Sequence, residues 1–335
     1  MKEIELVSNQ YLPLSNMTSR IFFTLDSMSQ ISFLYQYSLQ HFMEFIFAVL
    51  HSNETLSKLP KSNPEARLKV ITSELFQYIY LKTSQGLLLE HQALFALRLT
   101  QIRLGTDYDV QFDLLLKSSL ASADTGNNAS DGMLVNEGVL GEGRLTKTQA
   151  RKLEELSLTK AFRKLPESFG SQQADWVNFL EHPMAESCIP EIPNSEMGGK
   201  DNETVKDMKR MTILKILRPD RFISSVKTFV GKILGEQVLN IGDLDLMKIV
   251  EKESNAKSPL LLVSAPGFDA SYKVDMLAKQ ANKKYTSVAI GSPEAFDLVD
   301  QAIKGAAKTG SWVLLKNVHL APQWLTELEK DIYKL

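Results

Sequence analysis

From Pro259 to Tyr333 the sequence alternates short apolar runs with longer amphipathic stretches, and this alternation constrains the fold more than any other feature. Pro259–Val263, Tyr285–Ile290 and Trp312–Lys316 read as strands, being apolar and rich in branched and aromatic residues. Helical spacing covers Tyr272–Asn282, Glu294–Lys308 and Gln323–Tyr333. A strand–helix order repeated in this way predicts parallel strands joined by right-handed crossovers. The expected fold class is α/β with an extensive helical part: a P-loop-like parallel sheet flanked by helices, with helices before it in the chain.

The turn after the first expected strand has the frame of a phosphate-binding loop and lacks its chemistry. Such a loop reads G-x-x-x-x-G-K-[ST] between a strand and a helix. Here the first Gly position is Ser264, the second is Asp269, and the Lys position is Ala270, followed by Ser271. Gly267 lies inside the turn. The missing Lys would have been the cation on the phosphates, and Asp269 places a negative charge where an anion would sit. Downstream, Ser311–Leu315 has the apolar run of a Walker-B strand. Its two acidic positions are taken by Lys316 and Asn317, which can neither hold Mg²⁺ nor act as a base. Spacing alone leaves two readings open: ordinary buried strands of an α/β sheet, or a nucleotide site that has lost its chemistry.

The preceding residues read as mostly helical. Lys2–Val7 predicts a helical tail ended by Pro13, with Asp26 or Ser27 capping a second helix whose apolar face runs from Ile31 to Val49. Phe33, Tyr37, Met43 and Phe47 lie off that face and are expected to meet a second partner, the helical layer Pro64 to Ile102. Pro64 opens that layer, and Ser84-Gln85-Gly86 breaks it. A charged helix is expected from Thr146 to Leu165. Another should run to Arg218 and restart at Pro219, with Gly235 as its C-cap. Ala121–Gly143, with Gly138, Gly141 and Gly143 in the wrong order for a dinucleotide loop, reads as linker, and so does Pro183–Lys200.

Several function classes are excluded by composition. Net charge is −2, which disfavours a nucleic-acid surface. The longest apolar run, Phe45–Leu50, is far short of the ~20 residues a membrane span needs. The single Cys188 allows no internal disulfide and has no basic cluster in sequence to activate it. The histidines at 41, 51, 91, 182 and 319 show no ligand spacing, so His91 is expected as a satisfied core or rim residue.

Five segments carry a resemblance. Ser264-Ala265-Pro266-Gly267, Gly310 through Ala321 and Leu217-Arg218-Pro219-Asp220-Arg221 resemble the dynein heavy chain, in the large subdomain of its sixth AAA+ module. Tyr11-Leu12-Pro13-Leu14 and Ile31 through Leu39 are similar to the end of the fifth module, most closely in cytoplasmic dyneins. The resemblance covers nearly the whole chain in the family's order and favours the reading of a lost nucleotide site. It implies that residues 1–55 are the end of a strut and the helical lid of the fifth module. Residues 56–335 would be the sixth module's large subdomain, with a helical part at 64–235 and an α/β core at 258–335, cut before its lid.

The implied role is structural. This section would bind no cofactor, with ATP and Mg in other modules, and would close the ring and relay rigid-body motion. Arg218 and Arg221 are expected to form packing ion pairs, not an arginine finger. The implied parent is an ATP-driven, minus-end-directed microtubule motor of the cytoplasm and cytoskeleton. Its implied partners are the neighbouring AAA+ modules, microtubules, the dynein intermediate, light intermediate and light chains, and dynactin, without nucleic acid or membrane insertion. The alternative is a nucleotide-binding α/β enzyme domain with an atypical P-loop.

Overall fold

The computed structural model describes residues 2–52, 56, 63–117, 144–192, 203–238, 245–252, 254, 259–264 and 267–334. The linker expected at 121–143 and the latter part of the second connection, 193–200, lie outside them. The chain forms two compact units, Met1–Ile241 and Gly242–Leu335.

The first unit is helical. Helices α1 (Lys2–Ser27), α2 (Leu39–Ser52), α3 (Pro64–Ser84), α4 (Leu89–Leu104) and α5 (Asp109–Lys117) are followed by α6 (Lys147–Ser157), α7 (Leu165–Ser171) and α8 (Gln173–Glu181). Helices α9 (Glu203–Leu217) and α10 (Pro219–Leu234) follow among the described residues. Local chemistry sets several of these ends. The Asn63 side chain accepts the Ala66 amide at 3.1 Å at the start of α3. Thr146 and Gln149 form a reciprocal capping box on α6. Pro219 begins α10, and Gly235 ends it at φ +102°, a conformation that a side chain would strain.

One core joins the N-terminal helices to the layer behind them. Ile21, Leu25, Tyr35, Phe42, Phe45 and Val49 are buried with Leu75, Phe76, Ile79, Phe95 and Leu99, and Val226, Phe229 and Val230 of α10 close the same cluster. Each such side chain contributes about 1.5–3 kcal/mol on burial. A second core surrounds Trp176 and takes in Leu153, Phe162, Leu165, Phe169, Phe179 and the C-terminal half of α9. Because α9 gives Met208 and Met211 to the first core and Ile213, Leu214 and Leu217 to the second, it is common to both. Lys215 on α9 donates to the carbonyls of Leu115 and Leu116 at 2.6 and 3.2 Å, satisfying groups in the last turn of α5. Burial lowers the pKa of this ammonium.

Four sequence expectations are corrected in this unit. Helix α1 continues through Pro13. Proline removes one intrahelical bond, but Leu14 and Met17 pack on the core and Ile21 and Leu25 are buried in it, which offsets the loss. No helix starts at Asp26 or Ser27; these residues close α1, and 31–38 is a turn before α2. The residues expected to reach the second partner mostly face solvent, with Phe33 79% and Phe47 52% exposed and Met43 exposed as well. Tyr37 alone of the four packs on the core, and burial pushes its phenol up to about 12. The packing onto α3 and α4 runs instead through Tyr35, Phe42, Phe45 and Val49. The charged helix from Thr146 also stops early, at Ser157, and is followed by a separate short turn and α7.

The second unit contains α11 (Leu246–Lys252), α12 (Ser271–Gln280), β1 (Tyr285–Ala289), α13 (Pro293–Thr309), β2 (Trp312–Lys316) and α14 (Pro322–Lys334). Strands β1 and β2 pair in parallel, with Tyr285 opposite Trp312 and Ala289 opposite Lys316. Helix α13 makes the crossover and packs on both strands, with Ala295 and Val299 buried. Gly310 ends it in the left-handed region at φ +68°. The fold class is therefore α/β with an extensive helical part and a parallel sheet. The expected strand Pro259–Val263 is corrected: residues 259–264 belong to no strand, and Leu261 and Val263 are 60% and 57% exposed. An apolar run favours a strand only where a neighbour supplies the ladder, and among the described residues β1 and β2 pair only with each other.

Candidate functional site

Two of the residues singled out in the sequence, Asp269 and Lys316, meet at the carboxyl end of β2. Helix α12 begins at Ser271, and its exposed first amide is taken by the chain itself: Asp269 Oδ1 accepts the Ser271 N–H at 2.8 Å. A helix N-terminus is the place where a phosphate oxygen binds in a working loop. Lys316, the last residue of β2, places Nζ 3.9 Å from Asp269 Oδ2. The Ser271 hydrogen bonds hold the Asp269 carboxyl below its usual range, and the Lys316 ammonium adds to this.

Gly267 lies in the turn at φ +85°, a conformation that glycine adopts without strain. Ala270 is half-buried just before α12, where it offers no cation, and Ser264 is exposed outside any strand. Asn317 follows Lys316 in the left-handed region at φ +60°, turning the chain into a short helical turn at Val318–Leu320. Asn tolerates this conformation better than most residues. Helix α12 is fixed to the sheet through Asp275, which accepts from Tyr285 Oη at 3.2 Å and pairs with Lys279 at 3.0 Å.

Sequence reading assigns the loop and the strand to one former phosphate site, and the structure adds the direct contact of Asp269 with Lys316. The available signal was their opposite charge, which spacing in the chain cannot turn into proximity.

The arginines of the other candidate motif are engaged within the first unit. Arg218 grips both carboxylate oxygens of Asp220 at 3.0 and 2.8 Å and donates to the carbonyls of Leu180 and His182. Arg221 makes a two-point contact with Glu186 at 2.9 and 2.7 Å. Beside them is a cavity of about 240 Å³ over Met211 and Phe229, with Glu186, Asp207, Arg210 and Lys232 on its walls. Its charges pair off, Asp207 with Lys232 at 2.7 Å and with Arg210 at 3.5 Å. Among the described residues no cluster could hold a metal ion, and no helix is long and apolar enough to cross a membrane.

Comparison with known proteins adds to this geometry. Residues 255–335 match the family model described as the dynein heavy chain region D6 P-loop domain. The whole chain is 37% identical over 346 residues to the cytoplasmic dynein heavy chain of Paramecium tetraurelia, and 36% identical over 345 residues to that of Dictyostelium discoideum. Over 99% of its length it is 38% identical to the cytoplasmic dynein heavy chain of Drosophila melanogaster. The chain spans 7% of the length of each of these relatives.

Proposed function

Because the chain belongs to the dynein heavy-chain family, we propose that it is a non-hydrolysing section of the motor ring that joins two neighbouring modules mechanically. In this reading residues 1–55 are the end of a strut and the lid of the fifth AAA+ module, and residues 56–335 are the large subdomain of the sixth. The observation that carries the proposal is the Asp269–Lys316 contact: the loop has an anion and the strand a cation at the sites where phosphate and Mg²⁺ chemistry demands the reverse. The core shared by Tyr35, Phe42 and Phe45 with Phe76 and Phe95 supports the mechanical part, since a continuous packed core moves as a body. The whole heavy chain would move along microtubules in the cytoplasm, using ATP and Mg bound in other modules. Its partners would be those neighbouring modules, the dynein intermediate, light intermediate and light chains, and dynactin.

Calorimetric titration of the chain with Mg-ATP and Mg-ADP tests this. No saturable heat is expected, because a lost Lys–phosphate contact alone removes a charged hydrogen bond worth about 1.5–3 kcal/mol. Micromolar, Mg²⁺-dependent binding would overturn the proposal in favour of a working atypical P-loop.

A further inference from the structure

We propose that Asp269 and Lys316 form one compensated charge inversion, which latches the loop closed on the chain's own carboxylate in place of a phosphate. The proposal deepens the reading of this place as a former phosphate site and rests on it. In a working site the loop carries the cation and the strand end carries the acid, and the anionic ligand lies between them. Here the loop carries Asp269 and the strand end carries Lys316, 3.9 Å apart. Either change alone would leave a like-charge clash or an unmatched charge; together they keep loop and strand attracted. The same carboxylate fills a second part of the role. Its Oδ1 takes the Ser271 amide at the start of α12, the group that would otherwise meet a phosphate oxygen. One oxygen therefore serves the helix and the other faces the lysine, as two oxygens of a bound phosphate would.

An arriving anion would meet a carboxylate already on the helix N-terminus, and the loop needs no nucleotide to hold its place beside β2. The latch is weak. Asp269 and Lys316 are 75% and 37% exposed, so the interaction is that of a surface pair, open to screening by salt.

The test is a mutant cycle in the 335-residue chain, read by amide hydrogen exchange at Ser271 and referenced to Leu277, which is buried in the same helix. D269N keeps an oxygen for the Ser271 amide and removes the charge. K316E brings a second carboxylate towards Asp269. We expect K316E to speed Ser271 exchange about two- to five-fold relative to Leu277, the range for an exposed pair. Adding D269N to K316E should return most of that gain, and 1 M salt should shrink the difference, the screening length then being about 3 Å. Equal exchange in K316E and D269N/K316E would mean that the charges are uncoupled and would overturn the inference. The Mg-ATP titration decides the underlying reading separately. Uncoupled charges with no nucleotide bound sink the inversion alone, whereas bound nucleotide sinks the reading and the inference with it.

Discussion

The hydroxyl of Tyr35 lies 2.8 Å from Nδ1 of His91 and also accepts the Leu88 amide at 3.1 Å, so one oxygen ties the turn after α1 to the start of α4. With one proton and two lone pairs, the hydroxyl can accept from Leu88 and still serve either tautomer of the His91 ring. The rings stand edge to face at 5.5 Å. His91 is thus the satisfied histidine that its sequence surroundings suggest.

Y35F would keep the packing and leave two groups without their partner. Each hydrogen bond lost between these part-buried groups costs about 0.5–1.5 kcal/mol. The urea midpoint of the first unit should fall with its slope unchanged. An unmoved midpoint would show that water replaces the hydroxyl at no cost.

Acid should weaken the first unit at the Arg218–Arg221 segment. The hydrogen bonds from Arg221 to Glu186, helped by the Ser224 hydroxyl at 3.0 Å, hold the Glu186 carboxyl below its ordinary range. Asp220 is lowered chiefly by Arg218. A carboxylate with a depressed folded pKa adds stability that is fully present above its unfolded value and is lost as pH falls through the folded value. For Glu186 the loss begins near the ordinary value of 4.5 and continues below it. E186Q should therefore be less stable at neutral pH and lose less on acidification than the parent chain. Unfolding midpoints measured from pH 7 to pH 3 check this, and parallel curves for the two proteins would count against it.

How much of this was legible depended on whether the deciding interaction was local. Pro64, Pro219 and Gly235 mark helix ends through their own backbone chemistry, so α3 and α10 could be read from the sequence. Pro13 could not be read correctly, because what carries α1 through it is burial of Ile21 and Leu25 against residues far along the chain. Ile31 to Val49 looks like one apolar stripe, yet a turn intervenes, and only Tyr35, Phe42, Phe45 and Val49 of that stretch are buried. Pro259–Val263 has the composition of a strand without a ladder partner. At the candidate site each unusual residue type was visible, but the contact between Asp269 and Lys316 is made by tertiary structure alone.

The second core of the first unit turns on Trp176. Its indole is fully buried between Phe169 and Phe179, with ring centroids 4.6 and 5.8 Å away. Its N–H reaches the buried Ser168 hydroxyl at 3.1 Å. W176A removes the largest side chain of this core and the partner of Ser168 together, so the cost should be about 3–5 kcal/mol. S168A removes only the acceptor and leaves the indole N–H unsatisfied, for about 1–3 kcal/mol. The two changes share one bond, so in the double variant their effects should fall short of adding. Urea midpoints followed by the far-ultraviolet dichroism of the helices, which every variant keeps, are the measurement. If the double variant lost the full sum, Ser168 and Trp176 would be stabilising the core independently of their bond.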